Sequence, residues 1–320
     1  MQFCQIVPKK FIPFVEKRPR HLVLAHLIES DPEYVAAYRK LKQQTNCTII
    51  QDNSAFEYWK QGRPMLESDK LIELGKQINA DYLVMSDYPK QPWTKTRDKA
   101  LEMIPEIKQA GFKTFYVPQS ELGDIDGWCA SVKWALDNPR IDLIGLSILA
   151  CPIAMGIDEG QYNGELTGMI RLQRTLARLR CLLELEARGI IDKDNITEKT
   201  KLRFHVLGMQ DAPAEIKLLQ PYGKMIASWD SSNAVWHAIN GVRYDDTPTM
   251  LKDGKLNTEV DFNWDGEITN DMYSKVWYNI FLLYTSYASY VIHCLHLFFR
   301  LLFKLNFLLF FLCLSFLSFS

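Results

Sequence analysis

Carboxylate and amide side chains follow short apolar segments at regular intervals along the first 230 residues. The segments CTIIQD, YLVMSD, KTFYVPQ and KMIASWD end on Asp52, Asp87, Gln119 and Asp230. A carboxylate can attack an anomeric carbon or exchange a proton with a base, and an amide can pair with the edge of a purine. Parallel-sheet enzymes place such groups at the carboxyl ends of their strands. The pattern therefore predicts an enzyme in which the four side chains meet at one face.

Each of the three carboxylates also has a purely structural interpretation. In SWDSSNA, Asp230 is placed either to attack a sugar or to cap the helix that follows. In IIQDNSAFEYW, Asp52 is either a proton donor and acceptor or the first residue of an Asx turn. Asp87, in VMSDYP, can accept hydrogen bonds from a purine or close a turn. Gln119 can read a carbonyl group and a ring nitrogen, but a single glutamine at a strand end is weak support.

Aromatic and basic side chains near these positions are candidates for contact with a nucleic acid. Phe56 and Tyr88 lie shortly after two of the carboxylates, where they can stack on a flat base or simply pack at a rim. Arg171, Arg174 and Arg178 fall on one face of a predicted long helix. They form either a row of phosphate contacts or the solvated side of that helix.

The elements that must position these residues repeat as strand and helix. The predicted strands cover residues 21–25, 47–51, 82–86, 113–117, 141–148, 203–208 and 224–229, with a weak eighth strand near Val242. Seven or eight such units in one block predict an α/β fold, a closed (β/α)8 TIM barrel. No GxGxxG follows the first predicted strand, which disfavours a dinucleotide-binding fold.

Composition limits the classes of partner. Arg300 and Lys304 are the only charged residues beyond Ile280, so the first 280 residues hold 35 basic and 38 acidic side chains. The chain has no excess of basic residues, so any contact with a polyanion must be local.

The cysteines and histidines do not predict a metal site. The seven cysteines show no CxC or CxxC spacing, which favours buried thiols in a reducing compartment. His26, His205 and His237 form neither an HxH nor an HExxH pair. We therefore predict no metal and no cofactor.

The last forty residues differ from the rest of the chain. Residues 281–320 contain no Gly, Pro, Asp, Glu, Gln, Met or Trp, and residues 278–299 are long enough for a membrane helix. The tail is either a membrane anchor or a non-native read-through, and we favour the second because the break falls inside an amphipathic helix pattern. The predicted domains are a barrel over 1–280 and a hydrophobic tail over 281–320.

Six segments in order resemble motifs of the tRNA-guanine transglycosylase superfamily. QDNSAFE is similar to the family's DSGGFQ segment, VMSDYP to its substrate-recognising aspartate strand and YVPQS to its VQGG strand. IGLSILA is similar to GGLAVGE, VLGMQDAPAEI to MGVGTPEDL, and ASWDSSNA to the segment with the nucleophilic aspartate. The resemblance covers about residues 20–240.

The resemblance implies a (β/α)8 barrel that exchanges guanine for a 7-deazaguanine in a polynucleotide. It implies that Asp230 is the nucleophile and Asp52 the general acid and base. The residues implied to contact the base are Asp87, Gln119, the Gly145–Leu146 backbone, and Leu207 or Met209. Ser54 and Ala55 replace a glycine pair of the family, which would alter the pocket near Asp52.

Departures from the family pattern favour DNA over tRNA as the polymer. The tRNA enzymes carry a cysteine–histidine zinc site after the nucleophile, and nothing after Asp230 resembles it. A zinc-less barrel is more similar to the phage and bacterial branch that modifies DNA, which implies a cytoplasmic protein of a bacterial or phage-infected cell. The expected partners are DNA and a free 7-deazaguanine base. The alternatives are the same exchange on tRNA and a non-catalytic barrel that binds nucleic acid, and a homodimer or partner subunit stays open.

Overall fold

The computed structural model describes residues 2–158, 168–209, 212–244 and 261–283, without the side chains of residues 168–172, 175 and 212–214. Within these ranges, no helix is both long and apolar enough to cross a membrane. The greater part of the predicted hydrophobic tail, residues 284–320, lies outside the described residues.

Eight parallel strands among the described residues pair in chain order, and the eighth pairs with the first to close a barrel. The strands are β1 Gln2–Gln5, β2 Arg20–Leu24, β3 Thr48–Asp52, β4 Tyr82–Val84, β5 Lys113–Tyr116, β6 Leu143–Ser147, β7 Phe204–Leu207 and β8 Ile226–Ser231. The predicted α/β fold with a closed barrel is therefore confirmed. All eight carboxyl ends point the same way, which brings side chains from distant parts of the chain to one mouth.

Helices alternate with the strands around the barrel. They are α1 Ile12–Val15, α2 Ala25–Ser30, α3 Pro32–Gln44, α4 Ala55–Lys60, α5 Ser68–Ile78, α6 Trp93–Gln109, α7 Ile125–Asp137, α8 Ala150–Ala154, α9 Gly168–Ala187, α10 Ala212–Leu219, α11 Asn233–Ile239 and α12, residues 270–283. Their inner faces bury residues such as Leu71, Ile104 and Val132 in one apolar core with the strands. Burial of each such side chain contributes about 1.5–3 kcal/mol, so the barrel wall is held mainly by this layer.

The first strand, β1, was not predicted from the sequence. Its four residues, QFCQ, are too few and too polar at both ends to stand out as an apolar segment. Pairing with β8 places Cys4 opposite Asp230, and Phe3 stacks on Trp229 with ring centroids 4.0 Å apart. The buried Gln5 side chain donates to the carbonyl oxygen of Ser231 at 3.2 Å. These contacts close the barrel at the strand that carries the candidate nucleophile.

The prediction of a last strand near Val242 is wrong. Residues 242–244 are not a strand, since the place beside β8 is taken by β1. Instead, Asn279 of α12 joins this segment by accepting from the Tyr244 amide at 2.8 Å and donating to the Val242 carbonyl at 3.0 Å. Leu283 is fully buried in the core, so α12 continues past the boundary predicted at residue 280.

Candidate active site

Asp230 lies near the carboxyl end of β8 and is 1% exposed. Its Oδ1 accepts a hydrogen bond from the Gly208 amide at 3.0 Å and lies 2.8 Å from Nε2 of His205. Its Oδ2 has no hydrogen-bond partner among the residues described. The helix-cap interpretation is wrong, because Asp230 is within the strand and Ser232 precedes helix α11. One carboxylate oxygen is thus held in place while the other is left for chemistry.

The loop after β7 is shaped to reach Asp230. Gly208 has φ of +73°, and a Cβ atom there would lie 2.9 Å from the side chain of Ile148. Both constraints favour glycine, because only glycine enters the left-handed region without steric cost. The resulting turn points the Gly208 amide at the carboxylate.

His205 faces Asp230 as a neutral ring. Burial lowers the pKa of His205 and outweighs the raising effect of its hydrogen bond to Asp230. The 2.8 Å contact is therefore a hydrogen bond between a neutral imidazole and a carboxylate rather than an ion pair. Such a donor orients the carboxylate without neutralising its charge.

Asp52 ends β3, and its Oδ2 accepts a hydrogen bond from the Ser54 amide at 2.9 Å. This contact confirms the Asx-turn interpretation, and it leaves Oδ1 for other partners. Burial is the largest cause that raises the pKa of Asp52 well above its usual value, followed by the negative charge of Glu57. The charges of Asp230 and Asp87 add to the rise, so three strands bring carboxyl groups within electrostatic reach of one another.

Ser54 occupies a strained backbone position beside Asp52. Its φ of 53° lies in the left-handed region, which a residue with a Cβ atom enters only at a steric cost. The Ser54 hydroxyl lies 2.9 Å from Nδ1 of His26 and accepts from the His26 amide at 3.1 Å. The serine is therefore tied to helix α2, which fixes the turn next to Asp52.

Asp87 and Gln119 form a buried polar pair at the ends of β4 and β5. Asp87 accepts hydrogen bonds from Nε2 of Gln119 and, at 2.6 Å, from Nδ2 of Asn53. Both donors are side chains from the ends of other strands, so these hydrogen bonds do not form a local turn at Asp87. Burial raises the pKa of Asp87 to about 6 against the lowering effect of both donors.

The side-chain oxygen of Gln119 is a buried acceptor that has no donor partner among the described residues. This atom, Oε1, is sealed from solvent. An unpaired buried polar atom costs about 1–3 kcal/mol, so this arrangement is not explained by stability alone. The pair thus offers acceptors on Asp87 and on Gln119 side by side.

The two candidate stacking residues lie on the outside of this pocket. Phe56, on α4, is 41% exposed, with Nζ of Lys60 4.6 Å from its ring centroid. Tyr88 follows Asp87 and is half-buried, with Nζ of Lys95 4.6 Å from its ring centroid. Each ring is paired with a cation.

Gly145 and Leu146 lie inside β6 rather than beyond its end. A Cβ atom on Gly145 would lie 2.9 Å from the Phe115 ring, so packing alone explains the glycine. The Leu146 carbonyl oxygen accepts from Nη1 of Arg178 at 3.2 Å, so the backbone proposed to contact the base already binds a side chain of the barrel.

Leu207, the last residue of β7, and Met209, in the loop that follows, flank Gly208. Leu207 is half-buried, whereas Met209 is 3% exposed. The Met209 amide donates to the backbone carbonyl of Asp230 at 2.9 Å. Met209 is therefore tied to the backbone of Asp230, and the packing of Leu207 or Met209 against a base stays a prediction.

The predicted row of phosphate-binding arginines is wrong for Arg178. That side chain is 2% exposed and forms an ion pair with the equally buried Glu215. It also donates to the carbonyl oxygens at the ends of β6 and β7, so it joins barrel elements. Arg174 is half-buried, and the side chain of Arg171 lies outside the described residues.

Comparisons with known proteins do not assign a family. Neither a scan against protein-family models nor a search of curated proteins finds a match to this chain.

Four side chains or amides near the carboxylates were not predicted as part of the site. They are Asn53, Glu57, His205 and Gly208. A signal for His205 exists in the segment RFHVLG, because a polar residue alternates with apolar ones and so faces the barrel interior. Asn53 directly follows a strand end, and a position at a strand end is also the signal that selected Asp52. Glu57 carries no such signal, since it lies on a short helix whose placement depends on the turn at Ser54.

Proposed function

We propose that this chain is a base-exchange glycosyltransferase that replaces guanine in DNA with a 7-deazaguanine, through a covalent intermediate on Asp230. The observation that supports it most is the pairing of two carboxyl groups with opposite tasks at one mouth. Asp230 is held by neutral donors with one oxygen unpaired, and the raised pKa of Asp52 lets that carboxyl keep a proton. A nucleophile and an acid are what glycosidic exchange with retention needs.

In the first half of the reaction, Oδ2 of Asp230 attacks C1′ of the target nucleotide. The bond from C1′ to N9 breaks, its electron pair goes to the guanine, and Asp52 supplies the proton directly or through water. Guanine leaves, and the deoxyribose stays attached to Asp230 as an ester. The target nucleotide must first leave the base stack, at a cost of a few kcal/mol.

In the second half, the incoming 7-deazaguanine occupies the same pocket. Its N9–H proton passes to the Asp52 carboxylate, N9 forms the new bond to C1′, and the ester bond to Asp230 breaks. Asp52 is protonated again and Asp230 is ionised again, so both groups return to their starting states. One glycosidic bond replaces another, and no nucleotide energy source is consumed.

The polar pair beyond the carboxylates supports a guanine-like base as the ligand. Guanine and 7-deazaguanines share a ring N–H and an exocyclic amine on one edge. Asp87 can accept both, and the unpaired Oε1 of Gln119 offers a third acceptor nearby. A pyrimidine or an adenine presents fewer donors at this edge and leaves the acceptors unpaired.

The proposal is tested by nucleoside mass spectrometry on the full-length protein. The protein is incubated with 7-cyano-7-deazaguanine and either duplex DNA or unmodified tRNA. We expect the modified deoxynucleoside in the DNA sample and none with Asp230→Ala. Modification of tRNA alone would transfer the activity to the other polymer, and no exchange on either by a folded sample would favour a non-catalytic barrel.

A further inference from the structure

We propose that a hydrogen-bonded chain of Arg20, Ser228 and His205 positions the carboxylate of Asp230. His205 is then a positioning residue for the exchange reaction, acting through Asp230 rather than on the substrate. The kinetic consequence of this inference rests on the proposed function, whereas the hydrogen-bonded chain itself is inferred from the geometry.

The chain crosses the barrel interior from one end to the other. Nη1 of Arg20, the first residue of β2, lies 3.1 Å from Oγ of Ser228. Ser228 Oγ lies 2.8 Å from Nδ1 of His205, and Nε2 of His205 lies 2.8 Å from Oδ1 of Asp230. His205 and Ser228 are also paired across β7 and β8, which fixes their separation through the sheet.

The two ends of the chain, Arg20 and Asp230, set the direction of its protons. A guanidinium group only donates, so Ser228 Oγ accepts from Arg20. The Asp230 carboxylate only accepts, so a neutral His205 ring donates to it from Nε2, and Nδ1 is left to accept the hydroxyl proton of Ser228. A neutral imidazole with Nδ1 as acceptor carries its proton on Nε2, facing Asp230.

The other groups around His205 are compatible with a neutral ring. The Phe115 ring meets it edge-on at 5.3 Å between centroids, and the positive charges of Arg20 and Arg178 both lower its pKa. Asp230 acts in the opposite direction, and the buried Cys4 thiol, whose pKa burial raises to about 12, stays uncharged. Burial remains the largest cause of the lowered pKa, and the ring stays a donor to the carboxylate.

A neutral donor on Oδ1 suits both halves of the reaction. In the first half, Asp230 must attack as an anion, and His205 orients it without offering a full positive charge that would quench it. In the second half, Asp230 leaves as a carboxylate, and the hydrogen bond stabilises the charge as it returns. Fixing Oδ1 also directs Oδ2 towards C1′.

Two amide variants of His205 separate positioning from packing. His205→Gln places an N–H donor near the position of Nε2, whereas His205→Asn reaches only the position of Nδ1. We expect the glutamine variant to keep kcat within about tenfold of the wild type and the asparagine variant to lose about 10²-fold, with the KM for 7-cyano-7-deazaguanine little changed. Equal kcat values for both variants, after correction for the folded fraction, would overturn the positioning role.

A measurement without turnover tests the chain independently. Long-range 1H–15N spectra of the histidine-labelled full-length protein, with the His205 signals assigned by their loss in His205→Gln, report the tautomer. We expect a neutral ring protonated on Nε2 at pH 7, and a changed Nδ1 signal in Ser228→Ala. A ring protonated on Nδ1, or on both nitrogens, would overturn the chain. If the wild type exchanges no base, the proposed function fails, but these spectra still decide the chain.

Discussion

The amide of Gly208 donates a 3.0 Å hydrogen bond to Oδ1 of Asp230, so the loop after β7 fixes the carboxylate of β8. This contact leaves Oδ2 as the attacking atom in the proposed exchange. An amide nitrogen in its place is a poor nucleophile, whereas the amide oxygen can still accept from Gly208. We expect Asp230→Asn to lower exchange by at least about 10³-fold with its melting temperature and DNA affinity retained. Base exchange near the wild-type rate would remove Asp230 from the nucleophilic role.

The charge of Glu57 should control the pH dependence of exchange. Glu57 is the largest electrostatic contributor to the raised pKa of Asp52, and its negative charge favours the protonated acid. The first step needs that proton, so activity falls as pH rises through the pKa of Asp52. We expect Glu57→Gln to lower this pKa and to move the basic limb of the kcat/KM profile to lower pH. A limb that stays in place would show that another group controls it.

Asp87 should make the folded protein less stable as pH rises. Its pKa is about 6 in the fold against 3.8 ordinarily, so the folded state binds more protons between these values. The stabilisation is complete below about pH 4 and is lost as pH rises through about 6, by roughly 3 kcal/mol. We therefore expect Asp87→Asn to gain stability relative to the wild type on going from pH 4.5 to pH 7.5, measured by urea unfolding. The lowered pKa values of His21 and His26 act equally in both proteins and cancel. A difference independent of pH would contradict the assignment.

Arg178 should contribute to stability rather than to nucleic-acid binding. Arg178→Met breaks the buried ion pair with Glu215, which costs about 3–5 kcal/mol. The double variant Arg178→Met, Glu215→Met removes the carboxyl group as well and should be more stable than the single variant, although carbonyl groups of β6 and β7 lose their donor. Urea unfolding of the three proteins checks this order. Arg174→Ala is the matched helix variant, and we expect it to change stability far less. If the double variant is the least stable, the pair is not coupled as described.

The fold was largely predictable because seven strands are apolar segments followed by helical ones. β1 was not predicted because it is short and has a polar residue at each end; Gln2 is exposed, and the buried Gln5 is tolerated because it donates to the Ser231 carbonyl oxygen inside the barrel. No local pattern contains that information. The segment near Val242 looked like a strand because it continued the spacing, but β1 already filled the position.

The site residues at strand ends were predictable from the sequence, and those elsewhere were less so. Asp52, Asp87, Gln119 and Asp230 all lie at or just beyond the carboxyl ends of their strands. The environment of each side chain depends on register and packing across the barrel, which periodicity does not encode. The burial of Arg178 is an example, because helical spacing places it beside Arg174 without distinguishing a buried position from a half-buried one.

The most direct test of the account is to trap the covalent intermediate. The full-length protein is incubated with guanine-containing duplex DNA in the absence of an incoming base, quenched by denaturation and analysed by mass spectrometry. We predict a DNA adduct that maps to the peptide containing Asp230 and is absent from Asp230→Asn. Base exchange without any adduct, or an adduct that persists in Asp230→Asn, would contradict it.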